Sequence, residues 1–427
     1  MLNEELYQCY LKILHEELVP SLGCTEPIAL AYAAALTRKY LGIFPVHMDV
    51  FCSGNIIKNV KSVTVPNSGG MRGIEAAAVL GAVGGDAEKK LEVLEHISAE
   101  DRKKTSELIG KKFCTCFLAD GMENLYICVK MDGGGHNASV TIAKRHTQVT
   151  EIRRDGQIIF TLSEEKEEHK KEDIRELLNV RDILQFADSV EIAAVQEVIG
   201  RQVEMNTAIA EEGLKNHYGA EVGRTLISEY GMDVRVRAKA KAAAGSDARM
   251  NGCAMPVVIN SGSGNQGMTC SLPVIEFASE WKASEEQLYR ALVVSNLISI
   301  HQKKYIGSLS AYCGAVSAAC GAGAAITYLY GGNYEAVSRT ITNTIANMGG
   351  VVCDGAKSSC AAKIASAVDA AIMAYTLENK NHFFLPGEGL VKGNVEETIK
   401  SIGYVGREGM KSTDIVILNL MINKLEA

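Results

Sequence analysis

The sequence predicts an α+β protein: a mainly helical domain carrying an inserted α/β lobe with a largely antiparallel sheet. Three observations predict it. Apolar residues recur at helical spacing near the N-terminus and through most of the second half. Between about residues 46 and 162 a two-residue alternation takes over. Within that stretch Asp155-Gly156 marks a tight hairpin turn.

Taken in order, Leu2, Leu6, Tyr10, Leu14 and Leu18 form the stripe of a first helix, and a second runs from about Thr25 to Leu41, where Gly42 stops it. From Val46 the period changes: Val46, Met48 and Val50 alternate with His47, Asp49 and Phe51. Residues 73–110 read as helical, and further strands are expected at 112–119, 124–131, 138–145, 147–154 and 157–162. The mixed-charge run at 163–176 has almost nothing to bury and reads as a solvated linker or an exposed helix start. Helix patterns rich in Ala and Gly follow at 179–218, 284–300, 311–330, 333–347, 358–377 and 407–423. The expected organisation is N-terminal helices (1–45), an α/β lobe (46–162), a charged linker (163–178) and a helical domain (179–427), with no solenoid repeat.

Charge and cysteine content narrow the function. Forty-four basic against 51 acidic residues leave a net charge of −7, which offers no footprint for nucleic acid, so a small-molecule substrate is expected. The N-terminus MLNEELYQCY lacks a basic region followed by an apolar run. No stretch approaches the roughly 18 consecutive apolar residues of a membrane span. A cytoplasmic protein without membrane association is the expectation. In that reducing setting twelve cysteines mean core packing, metal ligation or catalysis rather than disulfides. Cys9, Cys52, Cys114, Cys116 and Cys128 sit among apolar neighbours and read as core.

The remaining signal lies in cysteines at helix starts. In GSLSAYCGAVSAACGAG, Cys313 falls in the first turns of a helix that Ser308 or Ser310 can cap, with Cys320 seven residues later on the same face. In NMGGVVCDGAKSSCAAKIASA, Cys353 sits in a Gly-flanked loop and Cys360 just inside the next helix, with Ser358 or Ser359 as cap. Such positions aim backbone N–H groups at a bound centre. The spacing fits small core cysteines in Ala-rich helices equally well, because C-x6-C is not a stock metal pattern. Cys24, in PSLGCTEPIALAY, precedes Thr25 as candidate N-cap, Glu26 and a first-turn Pro27, so its thiol is expected to be shifted toward thiolate. A structural turn cysteine is the other reading.

Three Gly-rich segments offer polar groups for a ligand: Ser53, Asn55 and Lys58 in FCSGNIIKNV, His136 and Asn137 in MDGGGHNAS, and Ser261, Ser263, Asn265 and Gln266 in INSGSGNQGMTC. Arg249, in SDARM, adds a charge for an amino-acid carboxylate beside Lys58, with Arg72 a weaker candidate. Each loop alone is an ordinary turn; together they are better explained as one polar pocket. None matches a dinucleotide or phosphate-loop fingerprint.

The passages YCGAVSAACGAGAA and VVCDGAKSSC resemble the cluster-binding segments of the iron-sulfur L-serine dehydratase alpha-chain family. Together with SLGCTEPIA, SGN, GGGHN and SGSGNQG they are similar, over essentially the whole chain, to its L-cysteine desulfidase branch. The resemblance implies a 4Fe-4S cluster held by Cys313, Cys353 and Cys360, with one iron lacking a protein thiolate, in a helical catalytic domain. Cys24 becomes the catalytic thiol, either as base or as a displaceable fourth ligand. The implied reaction is α,β-elimination of L-cysteine to pyruvate, ammonia and sulfide, with L-serine ammonia-lyase activity as the same-site alternative, and a homodimer as the implied assembly. Gly355 stands where the dehydratases tend to carry proline, which favours the desulfidase branch. An iron-sulfur redox or iron sensor is the rival of a different class. Zinc on the same thiolates would leave the protein colourless, and no lysine stands in a recognisable Schiff-base context for pyridoxal phosphate.

Overall fold

The computed structural model describes residues 2–162, 173–307 and 309–422. Its class is the expected one, a helical body joined to a six-stranded sheet. Helix α1 (Glu4–Glu17) is N-capped by Asn3, whose side chain accepts from Leu6 N at 2.8 Å, and it buries Tyr10, Ile13 and Leu14. After the short β1 (Pro20–Leu22), α2 (Thr25–Leu41) is apolar on nearly every face. Its Ala-rich surface lets it lie between α4 (Ile74–Gly84) and the sheet, as a helix hydrophobic all round must.

The sheet runs β3-β2-β4-β5-β6-β7, with β2 His47–Cys52, β3 Cys114–Leu118, β4 Tyr126–Gly133, β5 His136–Ala143, β6 Val149–Arg154 and β7 Gln157–Thr161. Only β2 and β3 are parallel, and their crossover carries α3 (Gly54–Val60), α4 and α5 (Ala99–Gly110). The other pairs are antiparallel, and the inward residues Met48 and Val50 face Met131 and Val129. Asp155 and Gly156 both adopt positive φ, as the tight β6–β7 turn requires. Most of the expected charged linker, residues 163–172, lies outside the described residues; its end forms a 3-10 turn at Ile174–Leu177.

The helical body contains α6 (Val180–Ser189), α7 (Ile192–Lys215), α8 (Val222–Tyr230), α9 (Val234–Met250), α10 (Gly264–Glu280), α11 (Glu285–Ile306), α12 (Gly314–Leu329), α13 (Tyr334–Met348), α14 (Cys360–Glu378), α15 (Val395–Tyr404) and α16 (Lys411–Met421). The single helix expected over 179–218 is broken by extended backbone at Val190 and Glu191; the apolar stripe continues across the break and hides it. The helix expected over 407–423 is interrupted by a π turn at Val405–Gly409 that packs Gly406 on Tyr312. Helix α10, read from sequence as loop at its start, forms despite Gly264, Gly267 and Pro273. Helix α14 is long and apolar enough to cross a membrane, but here it packs among α9, α12 and α13.

Candidate active site

The site begins with a strand pair that sequence reading did not anticipate. β1 lies antiparallel to β8 (Pro256–Val258), with Pro20 opposite Val258 and Leu22 opposite Pro256, so the start of α2 lies beside the turn 259–263. Buried amides fix that turn: Asn206 accepts from Val258 N at 2.9 Å, and Asn260 donates to Asn296 Oδ1 at 2.9 Å. Cys24 itself occupies the N-cap position of α2. Thr25, expected to cap, instead opens the helix, and its hydroxyl reaches Gly262 O at 2.9 Å and Glu26 at 3.1 Å.

Ser263 caps α10 through its hydroxyl, which places Asn265 and Gln266 on the first helical turn rather than in a loop. Gly264 permits close approach of the Arg249 guanidinium, since a Cβ there would lie 2.7 Å from Arg249 Cζ. Arg249 is buried at the end of α9 and donates from Nη1 to Asn265 Oδ1 at 3.1 Å, while its Nε and Gln266 Oε1 have no hydrogen-bond partner among the described residues. A buried donor and a buried acceptor left unpaired in one cavity suit a small zwitterionic ligand. Ser261 also faces the cavity, its hydroxyl turned to Asn260 Oδ1 at 2.9 Å.

The two cysteine segments are stapled by a backbone bridge between Tyr312 and Val352, in which Cys313 N donates to Val351 O at 2.9 Å and Cys353 N to Ala311 O at 2.6 Å. Cys313 is the N-cap of α12 and Cys360 the first residue of α14, with Ser359 in the cap position. Ser310 does not cap α12; its hydroxyl donates to Gly406 O at 2.7 Å, and Ser308 lies outside the described residues. Cys24, Cys313, Cys353 and Cys360 line one cavity of about 110 Å³ with Arg249 and the 261–266 segment. Four helices, α2, α10, α12 and α14, turn their N-termini toward it.

The donor set suits a cluster rather than a single ion. Among the described residues no three His, Cys, Asp or Glu side chains converge on a single-ion site. A cluster makes a different demand, one thiolate for each of several irons, with hydrogen bonds to sulfur and compensating charge. The N–H groups of Ala315, Gly355 and Lys357 serve the sulfurs of Cys313, Cys353 and Cys360 respectively. A hydrogen bond from Cys313 holds Cys353 toward thiolate, helped by Lys58 and Lys363, whereas Cys313 is pushed up by that same bond and burial pushes up Cys360. The three thiols therefore fit the group. Cys320 is fully buried against α13, its Sγ 3.8 Å from Ile341 O, and lines no part of the cavity.

Cys24 departs from expectation. Burial pushes its thiol well above the ordinary range, the Glu26 carboxylate adds to this, and Arg249 opposes it. Its Sγ–H donates to Glu26 Oε2 at 3.0 Å, so the resting group is a thiol: desolvation and a neighbouring anion outweigh the helix N-terminus. Burial pushes Glu26 upward too, but the nearby His146, 3.8 Å away, and the Cys24 donor outweigh it and hold the carboxyl at about 2.

Other expected ligand residues lie elsewhere. Ser53 and Asn55 line a separate cavity of about 340 Å³ against α16, with Ser53 Oγ donating to Asn124 O at 2.7 Å. Lys58 is buried beneath the Cys353 loop, paired with Asp414 and 3.5 Å from Cys353 O, so its charge is already engaged. His136 and Asn137 sit on the exposed β4–β5 hairpin bound to Asp155, outside the cavity. The groups sequence reading missed are Glu26, Asn59, His146, Lys303 and Tyr312, all of which line it. Lys303 is buried and lowered by that burial to about 8, with the Cys353 and Cys313 thiols opposing the shift. Glu26 stood in the quoted CTEP motif but was assigned only to the helix end. His146 and Lys303 had no motif, and only the packing of the β5–β6 loop and of α11 brings them in.

Known proteins resemble this chain over most of its length. Residues 88–419 match the family model described as serine dehydratase alpha chain. A UPF0597 protein of Lachnoclostridium phytofermentans is 54% identical over 419 residues, covering 98% of this chain and 100% of that protein. UPF0597 proteins of Desulfitobacterium hafniense and Treponema denticola are 49% and 47% identical, each over 99% of this chain and 98% and 99% of their own length. The chain therefore belongs to the serine dehydratase alpha chain family, an iron-sulfur-associated family of lyases.

Proposed function

We propose that the protein is a cytoplasmic iron-sulfur lyase that removes the β-substituent of L-cysteine, yielding sulfide, pyruvate and ammonia. The observation that supports this most directly is the gathering of four cysteines from α2, α12, α14 and the 349–359 loop around one small cavity that also holds Arg249. Cys313, Cys353 and Cys360 would hold a 4Fe-4S cluster with one open iron. When bound, that cluster supplies Lewis acidity toward the leaving group.

The chain's own groups do the rest. Arg249 and the unpaired Gln266 Oε1 bind and orient the carboxylate and ammonium of the substrate, with Ser261, Ser263 and Asn265 completing the wall. Lys303 adds a second buried positive charge to the wall. Cys24 takes the α-proton once its own proton has passed to Glu26, a thiolate of high basicity being suited to a weakly acidic C–H. The restricted volume admits a small amino acid and little water.

The family description favours a second reading on the same site, in which L-serine is the substrate and hydroxide leaves. One experiment addresses both. Protein purified anaerobically is assayed for iron and acid-labile sulfide, then for pyruvate from L-cysteine beside L-serine, and for sulfide from the former. Brown protein that releases sulfide and pyruvate from L-cysteine with the higher kcat/KM is the expected result. Preference for L-serine selects the second reading, and colourless, metal-free protein inactive on both refutes the two together.

A further inference from the structure

We propose that Glu26 and His146 form a two-step proton carrier that connects Cys24 to a second, larger cavity, so that His146 resets the base after each turnover. The proposal rests on the reading of Cys24 as base. Geometry carries it. Glu26 is buried, and its two carboxylate oxygens face different partners. Oε2 accepts from Cys24 Sγ at 3.0 Å, while Oε1 faces His146 Nε2 at 3.8 Å and accepts from Asn59 Nδ2 at 3.1 Å. Thr25 Oγ1 holds Oε2 at 3.1 Å. The His146 Nε2 atom is itself buried without a hydrogen-bond partner among the described residues. A shift smaller than a bond length would close the gap to a hydrogen bond.

Position gives the pair a direction. His146 stands in the loop between β5 and β6, and with Ser261, Gly262 and Lys303 it forms the wall shared by the 110 Å³ site and a cavity of about 380 Å³ on its other side. Glu26 is the only carboxylate among the described residues lining the smaller cavity, where Arg249 and Lys303 are the charged neighbours. A proton leaving Cys24 therefore has one anionic acceptor within reach.

The steps balance without a further reactant. The Cys24 S–H bond breaks as an O–H bond forms on Glu26, leaving the thiolate to take the substrate α-proton. Rotation about Cγ–Cδ presents the Glu26 proton to His146 Nε2, and the imidazolium ring turns toward the larger cavity, loses the Nε2 proton there and returns with Nε2 again free to accept. After elimination the α-proton, now on Cys24, leaves by the same path.

Hydrogen exchange at the α-carbon separates a carrier from a structural prop. L-Alanine has the α-proton and no leaving group, so in D2O the iron-loaded enzyme should replace that proton with deuterium, followed by proton NMR. For His146→Gln and Glu26→Gln with normal iron content, exchange and kcat for elimination should fall roughly 10- to 100-fold, with KM and inhibition by L-alanine within about twofold. Added imidazole should restore His146→Ala and leave Glu26→Gln unrescued. Wild-type exchange in His146→Gln, or losses matched by equal losses of L-alanine binding, would overturn the carrier while the lyase reading stands. Iron-loaded wild-type protein that neither eliminates nor exchanges overturns both.

Discussion

Replacing Gly355 with alanine tests the architecture of the thiol site most sharply. Gly355 has φ +90, a region in which an L-residue costs about 1–3 kcal/mol. A Cβ there would lie 3.0 Å from the Lys58 carbonyl carbon and nearer still to its oxygen. That neighbour is backbone, and it cannot retreat easily because the Lys58 side chain is held by Asp414 and Cys353 O. Overpacking of this kind adds about 1–3 kcal/mol, giving roughly 2–6 kcal/mol in all. The loop can relieve the strain only by moving, which takes the Gly355 N–H away from Cys353 Sγ. We expect Gly355→Ala to lower the unfolding midpoint of metal-free protein and to lose most of its iron and acid-labile sulfide after reconstitution. Gly355→Pro, which fixes φ near −65°, should be worse. Wild-type midpoint and full iron content in the alanine variant would refute the reasoning. The same φ gives a physical reason why the proline of the dehydratase pattern does not fit this loop.

Other expectations follow from the same contacts. Serine at Cys313, Cys353 or Cys360 should remove colour and iron with far-UV circular dichroism unchanged, whereas Cys320→Ala should keep full iron content, because its sulfur lies outside the cavity. Lys58→Met strands the Asp414 carboxylate and should cost about 3–5 kcal/mol in denaturant unfolding, much of it recovered by adding Asp414→Leu. The Glu26 carboxyl, held at about 2 against 4.5 unfolded, contributes about 3 kcal/mol that is present above pH 4.5 and lost as pH falls toward 2. The stability gap between wild type and Glu26→Gln should therefore narrow over that window. His136→Ala should leave elimination kinetics unchanged, in contrast to substitutions at His146, since its imidazole is engaged by Asp155 on the hairpin.

The features legible in the sequence were those carried by local pattern. The alternation around Met48 and Val50, the Asp155-Gly156 turn and the helix starts at Cys313 and Cys360 each depend on neighbours within a few residues, and the fold reproduces them. Long-range pairing was not legible. Three-residue strands such as β1 and β8 are too short to show a period, yet their pairing joins Cys24 to Ser261 and Ser263. The two histidines illustrate the same limit. His136 drew attention through its glycines, which serve a hairpin turn, while His146, at the other end of β5, had an unremarkable context and reaches the cavity. Cys24 failed in a different way: its position at a helix N-terminus was read correctly, but the size of the dipole effect depends on burial and on Glu26, and both were visible only in three dimensions.

The convergence of four helix N-termini explains how a cavity this small can hold so many groups that prefer negative charge. Each helix end contributes partial positive charge from unpaired N–H groups, strongest where water is excluded. Arg249 and Lys303 add two full charges, and Glu26 is the one carboxylate among the described lining residues. Such a field favours a carboxylate near α10 and the anion at Glu26, and so discourages protonation there, while the bond to Cys353 at Cys313 and burial at Cys360 outweigh it. Cys24 is held as a thiol first by burial and then by that anion. The site thus contains one thiol hydrogen-bonded to a carboxylate beside three placed for ligation. Moving the carboxylate, as in Glu26→Gln with Asn59→Asp, should retain the charge in the cavity but separate it from Cys24. If turnover depends on the field alone, that double variant will keep it; if it depends on the Cys24–Glu26 contact, it will not.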